Sequence, residues 1–142
     1  MKREESLFVS VIVPTYNRPD YATRCLASIL SNKYAAFEVI VVDQSPAQET
    51  QRAVEKLVIN DARLHYIHTD TVGASHARNL GLAHAHGEIV AFIDDDAVAT
   101  PHWIAAYANA FRALHPPPGL LGGKIEPIWE APRPHWYPPE RE

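Results

Sequence analysis

"SLFVSVIVP", residues 6–14, is apolar on both alternating faces and rich in β-branched side chains. A strand with one face in water alternates apolar with polar, whereas a strand covered on both sides does not. The run therefore predicts a strand inside a parallel sheet, with helices above and below. Pro14 ends it. "TYNRPD" follows, and Pro19 and Asp20 suit the first turn of a helix.

The same reading repeats along the chain. "YATRCLASILSNKY" sets Tyr21, Cys25 and Ile29, and Ala22, Leu26 and Leu30, at helical spacing. "FEVIVVD", residues 37–43, is a second apolar strand and ends on Asp. "SPAQETQRAVEKLVI" predicts a helix with Ser45 as N-cap, Pro46 just inside and Gln48 at the capping-box position. "LHYIHT", 64–69, is a short third strand, and "GASHARNLGLAHAHG" a helix over 74–86 between Gly73 and Gly87. "EIVAFIDDD" is the fourth strand. "TPHWIAAYANAFRALH" is a helix with Thr100 as N-cap and Pro101 at its first position. Trp103, Tyr107 and Phe111 share a helical spacing there and are expected to face the core.

Alternation of this kind means an α/β fold: an open, mostly parallel sheet with helices on both faces. The expected strand order is 3-2-1-4. After His115 the texture changes, with eight of the twelve prolines falling between 116 and 139. One more strand is expected near 120–125. Residues 1–125 are read as one domain, and 126–142 as a Pro/Trp-rich tail or the start of a missing part.

Bulk properties remove several function classes. A net charge of -4 offers no basic field for nucleic acid. The single cysteine, Cys25, forms no internal disulfide and reads as a small buried side chain. No apolar stretch approaches the roughly 20 residues of a membrane span, and the charged "MKREES" start does not look like a secretory signal. The expectation is a cytoplasmic protein, with peripheral association at the inner face of a membrane as the alternative. The eight histidines show no zinc-ligand pattern: His84 and His86 sit near a helix end, and His65 and His68 flank a strand.

The chemistry is expected where strands end. In open parallel sheets, ligands bind beyond the carboxyl ends of the strands, at the point where the order reverses. Order 3-2-1-4 puts that point between strands one and four, so "PTYNR" would face Asp94, Asp95 and Asp96. Three consecutive carboxylates after an apolar strand repel one another unless a cation joins them. Mg²⁺ and Mn²⁺ take oxygen ligands, use one or two carboxylates, and keep water and substrate phosphate in their shell. Asp94 and Asp96 share a side if the extended geometry persists, with Asp95 opposite. A solvated loop that caps the next helix is the plainer account of the triplet. Arg78, early in the third helix, is placed to reach a pyrophosphate or the acidic cluster. Asp43 is either a cap for the second helix or an acceptor for a base N–H.

Together, "VSVIVPTYNR", "FEVIVVDQS", "GASHARNLGL" and "GEIVAFIDDDAVATPHWI" resemble the nucleotide-sugar-binding half of family 2 glycosyltransferases, which have the GT-A fold. The resemblance runs from about Val9 to about Ile125. It implies that Pro14, Thr15, Tyr16 and Arg18 form a nucleotide-contacting loop, with Tyr16 near the base. It also implies that Asp43 reads a uracil N–H, and that Arg78 lies by the base and phosphates. Asp94, Asp95 and Asp96 would be the Asp-X-Asp motif, with Asp96 and Asp94 on the metal. The implied reaction is inverting transfer from a nucleotide diphosphate sugar, best guessed as a UDP-sugar, with Mn²⁺ or Mg²⁺ and an unknown acceptor. The family's acceptor half normally supplies the base. Here only Glu126 and Glu130 are nearby candidates, so the base is expected outside this chain. Two other readings stand beside this one. "DDDAV" also resembles the motif of haloacid-dehalogenase-like phosphatases, though it follows the wrong strand. The chain could instead be a donor-binding module that performs no transfer itself.

Overall fold

The structure is a computed structural model that describes residues 6–137. Its strands are β1 (Val9–Thr15), β2 (Phe37–Asp43), β3 (Leu64–His68) and β4 (Ile89–Phe92). Its helices are α1 (Pro19–Leu30), α2 (Glu49–Val58), α3 (Ala74–Ala83) and α4 (Trp103–Ala113). The four strands form one parallel sheet in the order β3-β2-β1-β4. The α/β alternation and the strand order are as the sequence reading expected.

The pleat sorts the side chains. Val9, Val11 and Val13 of β1 and Phe37, Val39 and Val41 of β2 point to one face. There they pack with Leu26 and Ile29 of α1, Val54 of α2, and Ile104 and Ala108 of α4. Ile40 and Val42 point to the other face, against Ala77 and Leu80 of α3. Each large side chain buried in this way contributes about 1.5–3 kcal/mol. β1 and β2 are buried along nearly their whole length, which is why neither alternates in sequence.

Three local expectations give way to competing bonds, and a fourth fails for want of a buried face. α2 begins at Glu49 behind Gln48, not at Ser45. The Ser45 hydroxyl instead donates to Asp43 Oδ1 (2.5 Å) and accepts the Asn17 amide (2.8 Å). α4 begins at Trp103, so Thr100 and Pro101 lie in the turn before it. The Ile104 amide is met by Asn32 Oδ1 from beyond α1 (3.4 Å), while Asn32 Nδ2 donates to the Thr100 carbonyl (2.8 Å). α3 stops at Ala83, short of residue 86. The His86 amide donates to Glu38 (2.8 Å) and the Gly87 amide to Ser10 Oγ (2.8 Å), which draws the chain off the helix. No strand forms near 120–125, and residues 114–137 contain no helix or strand. The Leu120 and Ile125 side chains are exposed, so that segment has no apolar face to pair through.

The fourth helix also turns differently from its aromatic spacing. Its buried positions are Ile104 and Ala108. Trp103 and Phe111 pack partly against the core, whereas Tyr107 meets Trp103 edge to face at 5.6 Å. The expected tail extends through 138–142, which lie outside the described residues. Among the described residues, no helix is long and apolar enough to cross a membrane.

Candidate functional site

Parallel register carries the site residues to one end of the sheet. Thr15 lies beside Asp43 at the last rung of β1 and β2. β4 pairs with β1 as far as Ile12↔Phe92, and three residues further on the Thr15 hydroxyl donates to Asp95 Oδ2 at 2.8 Å. β1 then turns through Asn17, whose φ of 52° is the left-handed conformation that Asn tolerates best after Gly. That turn sends Arg18 back over the acidic loop. Its guanidinium stands 3.4 Å from Asp95 and 3.5 Å from Asp96. From the facing side, Arg78 of α3 reaches Asp94 at 2.7 Å.

The acidic triplet does not remain extended. The Ala97 amide donates to the Asp94 carbonyl (3.0 Å), closing a turn over Asp95 and Asp96. The three carboxylates consequently have three environments. Asp95 is buried with Thr15 and Arg18 on it. Asp94 is exposed and paired with Arg78, while Asp96 is exposed and only loosely held by Arg18. The plain helix-cap account of the triplet does not fit, because α4 starts well beyond it, behind His102.

These residues line an open cleft of about 410 Å³, which Pro14, Thr15, Tyr16, Arg18, Arg78 and Asp94–Asp96 share. Tyr16 is 44% exposed and forms an aromatic wall. Sequence reasoning missed the opposite wall of Gln44, Val72, Gly73 and Ala74. The buried Gln44 builds it, because its Nε2 donates to the carbonyls of Thr71 (2.7 Å) and Gly73 (2.9 Å). Gly73 adopts φ 147°, a conformation side chains rarely tolerate, just before α3. The signal for this wall was a Gln immediately after a buried strand and a Gly at a helix start.

Asp43 differs from the other candidates. It is fully buried behind the cleft, not on its lining. Oδ1 accepts the Ser45 amide and hydroxyl, and Oδ2 accepts the Tyr66 hydroxyl at 2.8 Å. Burial and that bond push the Tyr66 phenol well above its ordinary range. Glu126 pairs with Lys124, and Glu130 accepts the Tyr21 hydroxyl at 2.7 Å.

The cleft has a clear charge balance. Three carboxylates against two guanidiniums leave one negative charge, with both cations already resting on Asp oxygens. Among the described residues, no group of three or more His, Cys, Asp or Glu side chains could hold a metal. The cleft does present exposed carboxylate oxygens, on Asp94 and Asp96. That is what Mg²⁺ or Mn²⁺ accepts when water and phosphate complete its shell. No histidine is on the cleft lining. His86 (3.2 Å) and His65 (3.5 Å) flank the single carboxylate of Glu38 at the opposite end of β2.

A four-stranded parallel sheet with an acidic, arginine-flanked cleft at its switch point is an open α/β frame of the kind that binds ligands beyond its strand ends. The pattern of Glycosyl transferase family 2 matches residues 10–116, and the chain belongs to that family. A glucosyl-dolichyl phosphate glucuronosyltransferase of Haloferax volcanii is 32% identical over 135 residues, covering 93% of this chain and 42% of the relative. A putative colanic acid biosynthesis glycosyl transferase, WcaA of Escherichia coli, is 35% identical over 100 residues, covering 70% of this chain and 36% of its own. Among solved structures, a mannosyltransferase of Pyrobaculum calidifontis in complex with GDP-Man and Mn²⁺ superposes with a TM-score of 0.67 at 33% identity. That match covers 73% of this chain and 32% of the other. TarS of S. aureus in complex with UDP-GlcNAc gives 0.64 at 34% identity, covering 75% and 32%. The chain thus spans less than half the length of these relatives.

Proposed function

We propose that this chain binds the donor of a sugar transfer, a nucleotide diphosphate sugar, in the cleft between β1 and β4. The observation that carries the reading is the unequal engagement of the triplet. Asp95 is used up in holding Thr15 and Arg18, whereas Asp96 keeps an exposed carboxylate with one weak partner. Asp96, with Asp94 beside it, would hold Mn²⁺ or Mg²⁺. Bound there, the metal would offset charge on the diphosphate and make it a better leaving group.

The other residues divide the remaining work. Arg18 and Arg78 would exchange an Asp oxygen for a phosphate oxygen, a swap that suits planar guanidinium donors. Tyr16 offers a ring face to the base, and Gln44 fixes the facing wall. Asp43 supports the base end from behind, by fixing Ser45 and Tyr66. A UDP-sugar is the preferred donor. Inverting transfer to an acceptor is the reaction such binding serves. The described residues are equipped for donor binding more than for proton removal, because Glu130 is already held by Tyr21 and Arg24.

Calorimetric titration of UDP with Mn²⁺, and again with excess chelator, tests the reading. Binding is expected only with the metal. Equal affinity in both titrations, or no heat for any nucleoside diphosphate, would overturn it.

A further inference from the structure

A second cavity, of about 450 Å³, adjoins the first and shares Asp96 with it. Tyr21, Trp129, Ile128, Pro132 and Pro134 line it, and its polar groups are the Tyr21 hydroxyl and the carboxylates of Glu130 and Asp96. The irregular segment that forms it is tied down at named points. Glu130 accepts the Tyr21 hydroxyl (2.7 Å) and pairs with Arg24 (3.8 Å) on α1. Trp129 is braced edge to face by Tyr137 at 5.0 Å, and yet stays 39% exposed.

A partly exposed indole and two carboxylates lining one cavity favour one kind of guest. The C–H bonds on one face of a pyranose carry partial positive charge and pack against an aromatic face, which is negative. The hydroxyls at the ring's edge donate to ionised carboxylates, which only accept. An anionic guest would face those same carboxylates at close range. We propose that this cavity binds a neutral pyranose ring, and that the ring belongs to the acceptor, held beside Asp96 where a donor's sugar would be delivered. The assignment to the acceptor rests on the donor reading above, whereas the binding of a neutral pyranose does not.

Saturation-transfer NMR on the full chain tests both parts, with methyl β-D-glucopyranoside, methyl α-D-mannopyranoside and the methyl glycoside of N-acetylglucosamine as millimolar probes. At least one probe is expected to receive saturation on its ring protons. Trp129→Ala should weaken that signal about fivefold, the loss of one stacking contact, while melting near the wild-type temperature. Leu120→Ala, at an exposed side chain outside the cavity lining, should leave it unchanged. No saturation of any probe, or an unchanged signal in Trp129→Ala, overturns the site. Saturating UDP-glucose with Mn²⁺ should leave the signal in place. Displacement by UDP-glucose but not by UDP would give the cavity to the donor's sugar and overturn the acceptor assignment. If UDP itself fails to bind, the donor reading falls, while the probe signal and its loss in Trp129→Ala still judge the cavity.

Discussion

Asp95 shows how one carboxylate in a row of three becomes structural. It is buried, and the Thr15 hydroxyl is its shortest bond. Thr15→Val keeps the shape but removes that donor, leaving a buried carboxylate with only Arg18. The expected loss is about 1–3 kcal/mol of stability, as for other buried groups left short of a partner. Urea unfolding should show that loss in Thr15→Val and little in Thr15→Ser. Cys25 gives a second residue-scale test. Its thiol is pushed up to about 12, first by burial and then by the nearby Asp95, Asp96 and Asp94 charges. Only a thiolate reacts with alkylating reagents. Iodoacetamide at pH 8 should therefore label Cys25 in urea and spare it in the native protein. Labelling at equal rates would contradict the buried placement.

At the scale of elements, α3 depends on close approach to the sheet. A Cβ on Gly81 would sit 2.5 Å from Cγ2 of Ile12, a buried side chain of β1. Gly81→Ala should therefore destabilise by about 1–3 kcal/mol, as overpacking does, despite the better helix propensity of Ala. Thermal melting would read it, and a gain in melting temperature would show that α3 is free to move away. The other end of that face is pinned by Glu38. Burial alone would raise its carboxyl, but bonds from Ser10 and His86 outweigh burial and hold it below the usual range. A lowered folded value means the stabilisation is present above the unfolded value of about 4.3 and is lost as pH falls through the folded one. Glu38→Gln should therefore be less stable than the parent at pH 7, and the gap should narrow below about pH 4. The elements themselves were largely legible in the sequence, because buried parallel strands announce themselves as unbroken apolar runs. Their ends were less so. Ser45 is a good cap by type, yet Asp43 claims its hydroxyl. Thr100 is a good cap too, yet Asn32, distant in sequence, meets the helix amide instead. Local propensity cannot reveal a partner that only the fold brings near.

For the whole molecule, the sequence located one end of the sheet and most of one cleft. The alternation of strands and helices pointed to a parallel sheet, and it was the expected order 3-2-1-4 that brought "PTYNR" to the Asp triplet. The far wall around Gln44 and Gly73 stayed hidden, since an amide and a glycine carry no charge pattern to flag them. The second cavity stayed hidden for a different reason: residues 114–137 have no period to read, and their placement depends on side-chain ties to α1 such as Glu130 on Tyr21. Only the assembled chain shows that Asp96 faces both spaces. The account therefore turns on this one carboxylate. Calorimetric titration of UDP into Asp96→Ala with Mn²⁺ present, beside a melting curve of the same variant, tests it most directly. A metal-dependent site held by Asp96 predicts at least about a tenfold loss of affinity, some 1.4 kcal/mol, at a nearly unchanged melting temperature. Unaltered affinity, or a variant that no longer folds, would contradict it.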